Sequence, residues 1–298
     1  MDFTFKPKGP FDLLYQNQYF NGWPTLKSDP ATVVMAFPIE DGWRGSAAVT
    51  LKQRSDGTLD VRVYAKTDHA TAKNQALAAM SADEDATDWP KVGERDPFIK
   101  ELQQKYNYMR PTKFHSPYEA AMGLLIGHRI TVRQSRAIRA QMAETIGEKF
   151  EVAGESFYAF PTPQKLLQLK EWKGLNDIKI QRLHAAAQAA LGGMLTSDYL
   201  HGLSEEEALN QLETLPGVGP FFSQGILYRG AGLSDGFTHD DLTYHAIKQA
   251  YNLGHDPTQQ EVLAIAEKWR PFRMWVIVLM HVWVYETGNL PKRTFSKK

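Results

Sequence analysis

Residues 215–227 read LPGVGPFFSQGIL, and after a short loop residues 237–247 read FTHDDLTYHAI. Ahead of the first run, Ser204 and Glu207 stand at capping-box spacing. Ala208, Leu209, Leu212 and Leu215 then recur at helical spacing. Pro216 ends that helix. Gly217 and Gly219 supply the backbone freedom of a turn, and Pro220 is a favoured first-turn residue of the next helix. The pattern predicts two helices joined by a tight hairpin. Exposed hairpin amides at a helix N-terminus make an anion site that holds a phosphate without reading sequence. Asp240 and Asp241 open the helix that follows. A carboxylate there can lie over a sugar beside that phosphate. A GxG loop alone is also what joins two ordinary core helices; the flanking helices and the carboxylates favour the clamp.

From residue 116 onward every strong pattern is helical. Ser116 caps a helix, Pro117 sits in its first turn, and Gly127 ends it. Further helices are predicted over 132–146, 163–169, 177–191, 205–215, 220–230, 241–251, 258–269 and 271–287. The first 110 residues differ. FTFKP, ATVVMAFPI, GSAAVTLKQ and TLDVRVYA are β-rich, and the turn SDGT makes the last two a hairpin. Helices are expected at 71–80 and 96–106, with the acidic tract 81–95 as loop. The fold class is therefore α+β, with an antiparallel sheet domain over residues 1–110 and a helical body over 111–298. The hairpin lies at about 205–230 of that body.

The chain has no cysteine, which excludes disulfides, a thiolate nucleophile and a cysteine-ligated iron–sulfur cluster. Its densest apolar run, residues 274–285, is too short to span a bilayer and reads as a buried helix. The N-terminus lacks a signal-peptide pattern, so a cytoplasmic location is expected, at the nucleoid in a bacterium. Net charge is zero, whereas nucleic-acid binders are usually basic. Distribution matters more than the total. Asp83, Glu84, Asp85 and Asp88 stand apart, while Arg129, Arg133, Arg136 and Arg139 recur on one helical face near the hairpin. A solvated helix surface explains the later arginines equally well.

Four segments together resemble the helix-hairpin-helix DNA glycosylases, of the bacterial 3-methyladenine DNA glycosylase II type. They are FHSPYEAAMGLLIGHRITV from residue 114, FPTPQKLLQL with GLNDIKIQRLHAAAQAAL, the hairpin through Asp241, and WRPFRMWVIVLMHVWVYETG from residue 269. Their order and approximate spacing match as well. The resemblance implies an antiparallel sheet domain on an all-helical body, with duplex DNA as partner. It implies excision of alkylated purines, 3-methyladenine and 7-methylguanine among them, as a step of base excision repair. A compact monomer suffices for that chemistry.

The resemblance assigns the catalytic carboxylate to Asp241 and leaves Asp240 as a neighbouring cap. Backbone contacts to DNA fall on Leu215, Gly217, Val218 and Gly219. Trp283 falls on the pocket tryptophan, and Trp275 is read as core. Relatives that also cleave the strand carry a lysine two positions after the second glycine. Here that position is Phe221, so hydrolysis without strand cleavage is expected. Phe221 lines the pocket or packs in the core; Tyr118 is a further pocket candidate. Where the family has glutamine and an apolar wedge, this chain has His128 and Arg129. A planar guanidinium can stack in the gap left by a flipped nucleotide and donate to the orphaned base. No cofactor is expected, although the hairpin carbonyls would accommodate a monovalent cation. Two other readings stay open: excision of oxidised or other damaged bases, and a non-catalytic DNA-binding module. No HExxH-like spacing supports a metallohydrolase, and no metal site is expected.

Overall fold

The structure, a computed structural model, describes residues 1–19, 22–106 and 109–291. Period-two alternation in the first 64 residues builds a four-stranded antiparallel sheet. Its strands are β1 (Asp2–Phe5), β2 (Thr32–Pro38), β3 (Ser46–Gln53) and β4 (Leu59–Tyr64), in the order β1-β4-β3-β2. Met35 pairs with Val49 and Leu51 with Val61, so apolar side chains stack across one face. That face closes over α1 (Leu13–Tyr19) and α2 (His69–Ala79), burying Leu13, Phe37, Val63, Ala72 and Leu77. The opposite face, through Val34 and Ala48, meets Val152 and Phe157 of a second sheet.

That second sheet is an addition to the expected all-helical body. Residues Glu148–Val152 (β5) and Glu155–Ala159 (β6) form an antiparallel hairpin. Phe150 and Val152 alternate with Lys149 and Glu151, the strand period. Ala153 and Gly154, at φ 49° and 80°, make a left-handed two-residue turn. An alanine in the first turn position hid the signal. The α+β class itself holds.

The body places α5 (Pro117–Gly127) at its centre, ringed by α6 (Val132–Ile146), α7 (Pro163–Leu166), α8 (Asp177–Leu191), α9 (Ser197–His201), α10 (Glu205–Glu213) and α11 (Pro220–Ile226). Ser116 caps α5 by accepting from the Glu119 amide at 3.0 Å, as its position predicted. The third core is built by α12 (Asp241–Ala250), α13 (Gln259–Ala266) and α14 (Arg273–Thr287). It also holds α3 (Trp89–Arg95) and α4 (Pro97–Lys105), which lie on the N-terminal side of residue 110. The cores therefore do not follow a division at that residue. The acidic tract, read as loop, contributes α3. Apolar on all sides, α14 is buried along most of its length. Among the described residues no helix is long and apolar enough to cross a membrane.

One buried carboxylate ties this third core together. Asp96 caps α4 and accepts from Tyr251 Oη at 2.5 Å and from Trp269 Nε1 at 3.1 Å. A different carboxylate joins the sheet domain to the body. Glu40 accepts from the Ser197 amide at 3.1 Å and from Ser197 Oγ at 2.9 Å, at the start of α9. Burial pushes the Glu40 carboxyl up to about 7, against the pull of the Ser197 hydrogen bonds. Its folded value lies above its unfolded one, so its contribution is complete at acid pH and is lost as pH rises through about 7. A glutamine side chain in its place would mimic the protonated acid. Glu40→Gln is therefore expected to be more stable than wild type at pH 8, by about 1 kcal/mol, with the gap closing below pH 5. Urea unfolding across that range checks this; parallel curves for the two proteins would refute it.

Candidate active site

The hairpin between α10 and α11 has the predicted geometry. Gly217 lies at φ +86°, a conformation that favours glycine, and the end of the Arg182 side chain fills the space where a Cβ would stand. Val218 N–H donates to the Leu215 carbonyl at 3.0 Å and closes the turn. Among the described residues, the amides of Gly217, Gly219 and Phe221 meet no acceptor. Leu215 and Val218 point inward and are buried in the body's core. Only their main chain can meet a phosphate; their side chains anchor the turn.

The predicted helix 220–230 is not uniform. Beyond Ile226 it widens into a π turn, Leu227–Ala231. The Arg229 carbonyl there takes the Phe114 amide at 2.8 Å, and the Arg229 guanidinium donates to the Thr112 carbonyl. Gly230 lets this turn lie on α5: a Cβ would come 2.8 Å from Ala120 Cβ and 2.9 Å from Pro117 Cα. Widened turns of this kind are frequent at functional sites.

The two aspartates divide their roles. Asp240 caps α12, its Oδ1 accepting from the Thr243 amide at 3.0 Å and its Oδ2 from Thr243 Oγ1 at 2.8 Å. Thr243 Oγ1 also lies 3.0 Å from His281 Nε2 and 3.2 Å from Thr238 Oγ1. A hydroxyl donates once and accepts twice. With Asp240 taking its proton, it accepts from both neighbours, and His281 carries its hydrogen on Nε2. Burial pushes His281 down to about 4, against the pull of Asp240, so the imidazole is neutral. Asp241 follows as an exposed residue of the first turn, without a hydrogen bond to any described group. Both aspartates line a hollow of about 570 Å³ with His239 and Tyr244. His239 N–H donates to Gln224 on α11 at 3.3 Å, which links this hollow to the face carrying Phe221, one turn earlier.

A second cavity, of about 590 Å³, opens on that face. Its aromatic lining is Trp23 from the sheet domain, Phe114 ahead of α5, and Phe221 and Phe222 of α11. Phe221 is 57% exposed, at the surface rather than in the core. The rim carries His128 and Arg129. Arg129 adopts φ +57°, unusual for a residue with a side chain, and projects as an exposed group. His128 packs edge-on to Phe222 at 5.8 Å; burial first, then Arg129, Arg182 and Lys179, lower its pKa and keep it neutral. Lys179 and Arg182 of α8 extend this basic rim toward the hairpin. A chain of zero net charge thus presents a cationic face where the hairpin amides are free.

Two pocket candidates lie elsewhere. Tyr118 is fully buried in the body's core, its hydroxyl donating to the Pro161 carbonyl at 3.0 Å and its ring tilted against Trp43 at 5.1 Å. Trp283 packs edge-on to Phe98 at 5.0 Å and lines neither cavity. The reason is helical phase. Two residues span about 200° of a helix, so with His281 turned toward Asp240, Trp283 faces the opposite way. Trp275 is buried in the core and donates to Glu84 at 3.0 Å, as read. Sequence reasoning missed Trp23, His115, Phe222 and His281. A lone histidine inside the apolar α14 was the one available signal among them. Arg133 and Arg136 are exposed on α6, whereas Arg139 turns inward and pairs with Glu119 at 2.8 Å.

No family model matches the chain. A DNA-3-methyladenine glycosylase of Bacillus subtilis is 24% identical over 197 residues, 64% of this chain and 65% of that protein. DNA-3-methyladenine glycosylase 2 of Escherichia coli is 30% identical over 173 residues, 57% of each. The chain thus spans less than two thirds of the length of these curated relatives. Among solved structures, 3-methyladenine DNA-glycosylase from Archaeoglobus fulgidus superposes with a TM-score of 0.76 at 19% identity, covering 99% of this chain and 100% of that one. The chain has the helix-hairpin-helix DNA glycosylase fold. In that fold, the free hairpin amides and the aspartates of α12 flank one helix, α11, and the aromatic cavity opens beside it.

Proposed function

We propose that this protein is a monofunctional DNA glycosylase that extrudes alkylated purines, 3-methyladenine and 7-methylguanine among them, from duplex DNA and releases them by hydrolysis. The observation that carries this reading is the placement of free hairpin amides at the N-terminus of α11 and of a fixed carboxylate next to His239, which is tied to Gln224 of the same helix, with an aromatic cavity opening beside that helix. A backbone phosphate at the amides of Gly217 and Gly219 would turn its sugar toward α12 and its base toward Trp23, Phe114 and Phe221. Stacking on aromatic faces suits an electron-poor alkylated ring. The base leaves with the electrons of the glycosidic bond, positive charge develops on the sugar, and water adds to the anomeric carbon with loss of a proton. The nearby carboxylate stabilises that charge.

Resemblance points to Asp241 for this role; hydrogen bonding favours Asp240. A carboxylate stabilises a transition state best when already fixed and shielded. Asp240 is held by Thr243 and backed by His281, while Asp241 is free in solvent. With Phe221 in place of an amine, no Schiff base can form at that position, and the phosphodiester backbone stays intact. Arg129 is the proposed wedge, with His128 beside it. The test is incubation with methylated duplex DNA. Free methylated purine and abasic sites are expected, with strand breaks only after alkali. Nicking before alkali would refute the monofunctional reading, and no base release would refute the alkylpurine one.

A further inference from the structure

Most described arginines are engaged within the chain. Arg44, Arg54, Arg62, Arg139, Arg270 and Arg273 pair with carboxylates. Arg95, Arg110 and Arg229 donate to main-chain carbonyls. Among the described residues, Arg129, Arg133, Arg136 and Arg182 have neither a hydrogen bond nor an ion pair. We infer that Arg133 and Arg136 of α6 make a second grip on the DNA backbone, separate from the hairpin, and that Arg182 of α8 reinforces the hairpin itself. This rests on the reading of the aromatic cavity as the seat of the extruded base.

The unpaired guanidinium groups form one continuous edge. Arg182 lies on the hairpin, its Nε and Cζ 2.6 and 2.9 Å from where a Cβ of Gly217 would stand. With His128, Arg129 and Lys179 it lines a hollow of about 410 Å³ that has no carboxylate in its wall. Arg129 also lines the aromatic cavity, and so does Arg136. Arg133, three residues before Arg136, is its exposed neighbour on the surface of α6. The cations therefore run from the hairpin, past the cavity rim, onto α6. The carboxylate in the cavity wall, Glu119, is already held by His115 Nδ1 at 2.6 Å and by Arg139 Nη2 at 2.8 Å.

Two features of α6 count against a merely solvated helix. Arg133 stands in the first turn, where the helix dipole disfavours a cation, and that turn carries no acidic residue to offset it. Like charges one turn apart also repel. Exposed arginines of the sheet domain meet no such cost, because Arg54 has Asp60 and Arg62 has Asp2. A polyanion along this edge relieves both penalties of α6. A duplex presents its phosphates in series, and guanidinium groups bind them bidentately. An edge that starts at the cavity rim meets the strand flanking the extruded nucleotide. Contacts of this kind position the duplex without reading its sequence.

The test measures affinity for a duplex carrying an uncleavable abasic analogue over a series of salt concentrations. Wild type is compared with the double variant Arg133→Gln/Arg136→Gln, with Arg182→Gln, and with Arg44→Gln in the sheet domain as control. Each phosphate contact steepens the fall of log affinity with log salt by about one. The slope should become shallower by about two in the double variant and by about one in Arg182→Gln, and the control should match wild type. An unchanged slope in the double variant, or an equal change in the control, overturns the inference. Release of methylated purine by wild type, read in parallel, shows whether the glycosylase reading still stands; no DNA binding by wild type overturns both. A measurement on the DNA side guards against misfolded variants. Phosphates around the abasic position are replaced singly by uncharged methylphosphonates. Wild type should lose affinity at two separate groups of positions, and a single group overturns the second grip.

Discussion

Asp240→Asn is expected to lower the rate of base release by about a hundred- to a thousandfold, whereas Asp241→Asn should remain within several-fold of wild type. Asparagine caps a helix nearly as well as aspartate. The substituted amide would still accept from the Thr243 N–H, so α12 would hold its place; the charge would be removed and the Thr243 hydroxyl would have to turn from donor to acceptor at the amide nitrogen. On the proposed reading the lost charge would face the developing positive charge, from a carboxylate that Thr243, itself in contact with His281, fixes in advance. Asp241, exposed to water, is screened and unfixed. Single-turnover release from methylated duplex, with melting temperature as the control for folding, checks the pair. A large loss in Asp241→Asn with activity kept in Asp240→Asn would reverse the assignment and restore the one the resemblance implies.

Asp96→Ala is expected to cost about 2–4 kcal/mol of stability. The substitution strips a cap from α4 and leaves two donors, Tyr251 Oη and the fully buried Trp269 Nε1, without an acceptor. Leaving a buried donor unmet costs more than its hydrogen bond contributed. Asp96→Asn keeps one acceptor oxygen, which serves either the cap or the two donors, and should lose roughly half as much. Equilibrium unfolding in urea distinguishes the two, and a loss below about 1 kcal/mol in Asp96→Ala would show that solvent reaches the site. The effect extends to chemistry. Tyr251 ends the helix that Asp240 begins, so Asp96→Ala is also expected to slow base release if Asp240 is the catalytic carboxylate.

The hairpin was legible in the sequence because its signals are local. Ser204 and Glu207 form the capping box their spacing announces, and Gly217 takes the left-handed conformation that its place in the turn requires. The sheet was legible for the same reason, through alternation in β2 to β4. What sequence could not supply was phase and partnership. Trp283 and His281 stand two residues apart in one apolar helix, and only packing decides which faces Asp240. His115 and Trp23 lie far apart in the chain and meet across the two units. The π turn at Leu227–Ala231 follows from a close approach of α5 to Gly230, a tertiary contact without local warning. The β5–β6 hairpin did carry its period, but its turn residues did not flag it.

The cavity wall is shared. Trp23 comes from the sheet domain, while the hairpin, the aspartates and Phe221 all come from the helical units. On the proposed reading the sheet domain supplies one wall of the base cavity, while the grip on the backbone lies wholly in the helical units. On that reading, substitutions around Trp23 would alter one wall of the chamber and leave the phosphate clamp intact. A lineage could in this way shift its lesion repertoire by changes confined to the sheet domain, without first surrendering its hold on DNA.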